Sequence, residues 1–168
     1  MGFCPPLRLG IGGATYALMI AWSLDILAAE DTPSDIELLE MALARCGSVR
    51  SLKIVSDGGD IIAYLRGEPP FNQPARQPPN IILMDLKMPR LGGFEVLKWL
   101  RHNPECSVIP VIVLSSSPLE DDVTQAYRLG ANAYFEKPST FQELEDILRS
   151  ILVFWSHAKR PLVLKFPC

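Results

Sequence analysis

From Ser23 onward, short apolar runs alternate with segments in which apolar residues recur every three or four positions. The runs are SLDILAA (23–29), SLKIVS (51–56), IILM (81–84), VIVL (111–114) and AYF (133–135). Strands covered by helices on both faces show runs of this kind, so the pattern predicts five strands of a parallel sheet. Between the first two, Ile36, Leu39, Leu43 and Cys46 keep helical spacing over Pro33–Gly47. Pro33 suits the first turn of that helix and Gly47 its C-terminal cap. Residues 60–66, 94–102 and 120–129 predict the second, third and fourth helices, the last closed by Gly130. A fifth starts near Thr140, which forms a capping box with Glu143, and aligns Phe141, Leu144, Leu148, Ile151 and Trp155 on one face. The expected fold is α/β, a doubly wound five-stranded parallel sheet with five helices.

Three stretches fall outside this rhythm. GEPPFNQPARQPPN (67–80) is too rich in proline for a helix or an inner strand and is expected to be a surface loop. Residues 158–168 read as a C-terminal tail, which leaves 23–157 as the domain. Residues 1–22 read as an apolar N-terminal extension. Its uncharged part, 9–22, is shorter than the roughly 20 residues that a bilayer core requires and runs into Asp25, Glu30 and Asp31, so no membrane anchor is expected. Gly10, Gly12 and Gly13 lack the preceding strand and third glycine of a dinucleotide fingerprint.

Composition narrows the function. At 168 residues, with 48% hydrophobic and 21% charged, the chain can bury one core. A formal charge of −3 offers no basic footprint, which argues against nucleic acid as a partner. Cys4, Cys46, Cys106 and Cys168 are scattered without a C-x-x-C pair, and are read as reduced thiols of a cytoplasmic protein.

The chemistry gathers at strand ends. Glu30 and Asp31 follow the first strand, Asp85 the third, Ser115 the fourth and Lys137 the fifth. In an open parallel sheet the strand C-termini share one edge, where ligands bind. Carboxylates about 4 Å apart repel by roughly 4 kcal/mol at an effective dielectric near 20, so such a cluster calls for a cation. Magnesium suits all-oxygen donors. Lysine then supplies charge and serine a hydroxyl for a phosphoryl group, which makes Asp85 a candidate phosphoryl acceptor. Any one of these residues alone would read as a cap or a solvated turn; their joint occurrence in strand order carries the argument.

The stretches ILAAED, IILMDLKMPRLGGFEVL, PVIVLSSS and GANAYFEKP resemble the receiver domain of two-component response regulators over about residues 23–157. The resemblance implies a flavodoxin-like sheet of order 2-1-3-4-5. It casts Asp85 as phosphoacceptor and Glu30 with Asp31 as the acidic pair that holds Mg²⁺, Asp31 directly and Glu30 through water. The backbone carbonyl of Lys87 completes the metal's shell. Ser115 is the hydroxyl that follows the phosphoryl group, Tyr134 the aromatic switch and Lys137 the phosphate's counter-charge. Lys87 and Ser117 flank the path of the hydrolytic water and tune lifetime. A cis Lys137–Pro138 bond is implied as well. The insert after the second helix, LSSSPLEDD and the FWSHAKRP ending are similar to stand-alone regulators paired with phytochrome-type sensor kinases.

The implied function is a single-domain regulator, not an enzyme with turnover, that takes a phosphoryl group from a sensor histidine kinase and passes the signal to a downstream protein target. Two rivals stand beside it. One is a degenerate receiver that binds partners without phosphorylation. The other is an α/β phosphatase, against which Lys87 stands where a second carboxylate would serve as general acid. Phe154 and Trp155 belong either to the core or to a homodimer face, and His102 and His157 are read as surface residues.

Overall fold

The computed structural model describes residues 23–73, 77–161 and 166–168. The elements are β1 (Leu24–Ala29), α1 (Pro33–Cys46), β2 (Val49–Val55), α2 (Gly58–Arg66), β3 (Ile81–Met84), α3 (Gly93–His102), β4 (Val111–Ser115), α4 (Glu120–Arg128), β5 (Ala133–Glu136) and α5 (Phe141–His157). All strand pairs are parallel, in the order β2-β1-β3-β4-β5. The expected flavodoxin-like fold is borne out, and every expected element is present within two residues of its expected bounds. The extension 1–22 lies outside the described residues. No helix among the described residues is long and apolar enough to cross a membrane.

Alternation along the central strands sends side chains into two cores. Leu27 and Ala29 of β1 pack with Ile61, Leu65, Val96, Leu97 and Ala126 from α2, α3 and α4. Leu24, Ile26 and Ala28 pack with Leu39, Leu43, Leu148 and Leu152 from α1 and α5. Burial on both faces is why β3 and β4 read as apolar runs, and β1 as one broken only by Asp25. The edge strand β2 is half exposed and correspondingly polar.

Helix starts depart slightly from expectation, for a reason specific to packing. The helix α2 begins at Gly58 because the side chain of Asp57 accepts from the Asp60 amide at 2.9 Å and caps it. Gly58 itself has no room for a side chain: a Cβ there would meet Leu91 O at 2.6 Å and Val96 Cγ2 at 2.4 Å. At α5 the cap is as expected, with Thr140 accepting from the Glu143 amide at 3.3 Å.

The cysteine expectation needs correction. Cys106 and Cys168 form a disulfide across 62 positions, and only Cys46 of the described cysteines is a free thiol. The tail end folds back against α2: the Cys168 amide donates to Leu65 O at 2.8 Å, and the rings of Phe166 and Tyr64 lie 6.3 Å apart. A pairing made by this return path leaves no local spacing signal. Cys4 lies outside the described residues. At the end of α5, Trp155 packs partly against the α1–α5 core while Phe154 is 64% exposed, and His102 and His157 are both exposed.

Candidate functional site

Register brings the acidic strand ends together. Ala29 of β1 lies opposite Met84 of β3, and the Asp85 amide donates to Ala29 O at 3.1 Å, so Glu30 and Asp85 leave adjacent strands side by side. On the other flank of β3, Met84 pairs with Val113, which brings Ser115 at the end of β4 close to Asp85. The Lys137 amide donates to Ser115 O at 2.8 Å and extends the β4–β5 ladder to the lysine.

These placements converge on one carboxylate. Asp85, 5% exposed, accepts at Oδ1 from Ser115 Oγ at 2.6 Å and from the Lys87 amide at 3.1 Å. Its Oδ2 lies 2.8 Å from Lys137 Nζ. The same ammonium donates to Glu30 Oε2 at 2.7 Å and Asp35 Oδ2 at 2.8 Å. Burial alone would lower the pKa of Lys137, but the hydrogen-bonded carboxylates of Asp35, Asp85 and Glu30 outweigh it and hold the pKa above that of an ordinary lysine. Glu30 is buried and accepts from the Thr32 amide at 3.2 Å through its other oxygen.

The remaining candidates sit around this centre. Asp31 is exposed, and the Lys87 side chain points into solvent. Ser117 is fully buried and its hydroxyl donates to Asp122. Tyr134 donates to Ser117 O at 2.7 Å, and burial is the largest influence raising its phenol pKa. Among the described residues the cis X–Pro bonds are Pro69–Pro70 and Phe166–Pro167, so the Lys137–Pro138 bond is trans, contrary to expectation. Lys137 reaches inward regardless, because its ladder bond to Ser115 orients the backbone and three carboxylates draw the ammonium.

Asp35 had no part in the residue pattern read from sequence. It lies on the first turn of α1, where an acidic residue reads simply as a favourable partner of the helix N-terminus. A cleft of about 70 Å³ opens beside Lys137 and Glu30, with Leu38, Leu39, Pro138 and Leu144 in its wall.

Three carboxylates share one ammonium here, which leaves a net negative charge and an all-oxygen donor set. That chemistry suits a hard divalent cation. No three Asp, Glu, His or Cys side chains among the described residues are already arranged around a metal position: Asp31 is exposed, and Lys137 holds the centre of the acidic cluster.

Comparison with known proteins agrees with this architecture. The family model for the response regulator receiver domain matches residues 26–149. Response regulator Rcp1 of Synechocystis sp. is 35% identical over 130 residues, spanning 77% of this chain and 87% of Rcp1. The phosphorylated cyanobacterial phytochrome response regulator RcpA superposes with a TM-score of 0.76 at 36% identity, over 83% of this chain and 99% of that one. The Mn²⁺-bound form of Rcp1 superposes with a TM-score of 0.73 at 32% identity, over 83% and 99% of the two chains. With its sheet order, its strand-end carboxylates and the ammonium that ties them together, the chain belongs to the response regulator receiver-domain family and is similar to its stand-alone, phytochrome-associated members.

Proposed function

We propose that this protein is a single-domain response regulator that accepts a phosphoryl group on Asp85 from a sensor histidine kinase. The observation that supports this most strongly is the shared hydrogen-bond network of Asp85, Ser115 and Lys137 at the sheet's C-terminal edge. An Asp85 carboxylate oxygen forms a bond to phosphorus, the P–N bond of the donor phosphohistidine breaks, and its electron pair returns to the imidazole. Mg²⁺ would be held by Asp31, Asp85 and the Lys87 carbonyl, with Glu30 acting through water, and would supply neutralisation of phosphoryl charge. Lys137 gives up its contact with Asp85 Oδ2 to pair with a phosphoryl oxygen. Asp35 and Glu30 keep it in reach.

Ser115 carries the signal outward. Its hydroxyl leaves Asp85 Oδ1 for a phosphoryl oxygen, and Tyr134 turns into the space vacated, exchanging its bond to Ser117 O. That movement shifts the surface of α4, β5 and α5, which a downstream protein reads. Lys87 and Ser117 border the approach of water to the acyl phosphate and set its lifetime. The name of the similar phytochrome response regulator RcpA supports a phytochrome-type kinase as the donor, and the compartment we propose is the cytoplasm. The protein itself turns over no substrate beyond its own phosphorylation and dephosphorylation.

Incubation with Mg²⁺ and a small phosphodonor is expected to add one phosphoryl group, detected by intact mass, and Asp85→Asn is expected to abolish it. Wild-type protein that stays unmodified would instead support the degenerate receiver, which binds without phosphorylation.

A further inference from the structure

The loop from Asp85 to Gly92 supplies both the Lys87 amide that binds Asp85 Oδ1 and the Lys87 carbonyl assigned to the metal. This loop is fastened to the N-terminus of α2. The Gly58 amide donates to Leu91 O at 3.0 Å, and the two backbones are so close that Gly58 cannot carry a Cβ. Beside that bond the Arg90 guanidinium pairs with Asp57 Oδ2 and lies 3.7 Å from Asp60 Oδ2.

The pair is asymmetric in a way that tells its purpose. Asp57 is 1% exposed, and its Oδ2 has no hydrogen-bond partner other than this ion-pair contact, while Oδ1 caps α2. A buried carboxylate oxygen left alone is unfavourable, so Arg90 is drawn firmly to it. Arg90, in turn, stands at a φ of 61°, a backbone region that glycine or asparagine enters far more readily than arginine. The loop therefore holds an unfavourable backbone conformation at the residue whose side chain reaches the anchor, three positions beyond Lys87.

We propose that Asp57 and Arg90 are a positioning pair: their ion pair fixes the β3–α3 loop so that the Lys87 amide and carbonyl face the oxygens at Asp85. The inference rests on the reading of Asp85 as phosphoacceptor beside a divalent ion. Neither residue reacts. Their effect reaches the chemistry through the loop, as partners beyond the metal's own ligands commonly do.

The test uses the full chain with two readouts, the dissociation constant for Mn²⁺ alone, followed by the electron paramagnetic resonance of the free ion, and the initial rate of phosphorylation by a small phosphodonor. Arg90→Asn keeps a residue that tolerates the left-handed backbone but removes the charge. Because the Arg90 side chain is 72% exposed, its loss leaves the core intact. Asp57→Asn keeps an N-cap acceptor. Each single variant is expected to weaken Mn²⁺ binding about tenfold and to slow phosphorylation by a similar factor at subsaturating metal. The double variant is expected to be no worse than either single one, and Arg90→Lys to recover part of the loss. Mn²⁺ affinity and rate within about twofold of wild type in Arg90→Asn, or losses that multiply in the double variant, would overturn the proposal. If the wild-type chain takes up no phosphoryl group, the phosphoacceptor reading itself fails, an outcome separate from these.

Discussion

Replacing Lys137 with methionine keeps the length of the side chain but removes the charge that three carboxylates share. Glu30 and Asp85 are each bound to that ammonium, at 2.7 and 2.8 Å, so their oxygens lie no more than about 5.5 Å apart. At an effective dielectric near 20, two unit charges at that separation repel by about 3 kcal/mol. Both carboxylates are buried and keep only neutral donors, the Thr32 amide for Glu30 and the Ser115 hydroxyl with the Lys87 amide for Asp85. Stranding buried charge typically costs about 3 to 5 kcal/mol. Lys137→Met is therefore expected to lose about 3 to 4 kcal/mol of stability near neutral pH in metal-free buffer. The sign of the pH dependence follows. In the wild type, the raised pKa of Lys137 means its contribution is complete below the ordinary lysine value of 10.5 and is lost only as pH rises past its higher folded value. Urea denaturation of both proteins at neutral pH, with and without Mg²⁺, measures this deficit directly. A deficit below about 1 kcal/mol, or one indifferent to Mg²⁺, would mean that Lys137 contributes packing alone and would refute the electrostatic argument.

Two further consequences are open to direct measurement. Reduction of the Cys106–Cys168 bond, or Cys168→Ser, is expected to destabilise the chain by up to about 4 kcal/mol on the loop-entropy model for a separation of 62 positions, read as a lower urea midpoint; an unchanged midpoint would show that the bridge constrains nothing. At the opposite edge of the sheet, burial acts to raise the pKa of Asp25, but hydrogen bonds from Arg50 and Ser51 overcome it and hold the carboxyl below the ordinary 3.8. Its contribution is present above that value and fades as pH falls through the lower folded value, so Asp25→Asn is expected to reduce stability at neutral pH and to flatten its decline below about pH 4, as followed by circular dichroism.

The strands were legible because burial on both faces leaves little room for polar residues, as IILM and VIVL show. Asp85, Ser115 and Lys137 could be grouped because in a parallel sheet a residue just after an apolar run must lie on the shared edge. What escaped depends on contacts between elements far apart in sequence. Asp35 joins Lys137 only because α1 packs beside the end of β5, and Asp57 meets Arg90 only because α2 abuts the β3–α3 loop. Position 58 has to be glycine only because Leu91 and Val96 approach it from the β3–α3 loop and α3. The Cys106–Cys168 bond needs the tail to return over α2, which no spacing predicts. The trans Lys137–Pro138 bond shows that strand register and charge suffice to aim the lysine.

The central claim is that Asp85 receives the phosphoryl group, and locating the modification tests it most directly. After treatment with Mg²⁺ and a small phosphodonor, borohydride converts an aspartyl phosphate to homoserine, which peptide mass spectrometry can place. Homoserine is expected at position 85 and at no other aspartate. Phosphate carried on a serine or histidine, or homoserine at Asp31 or Asp35 with Asp85 intact, would contradict it.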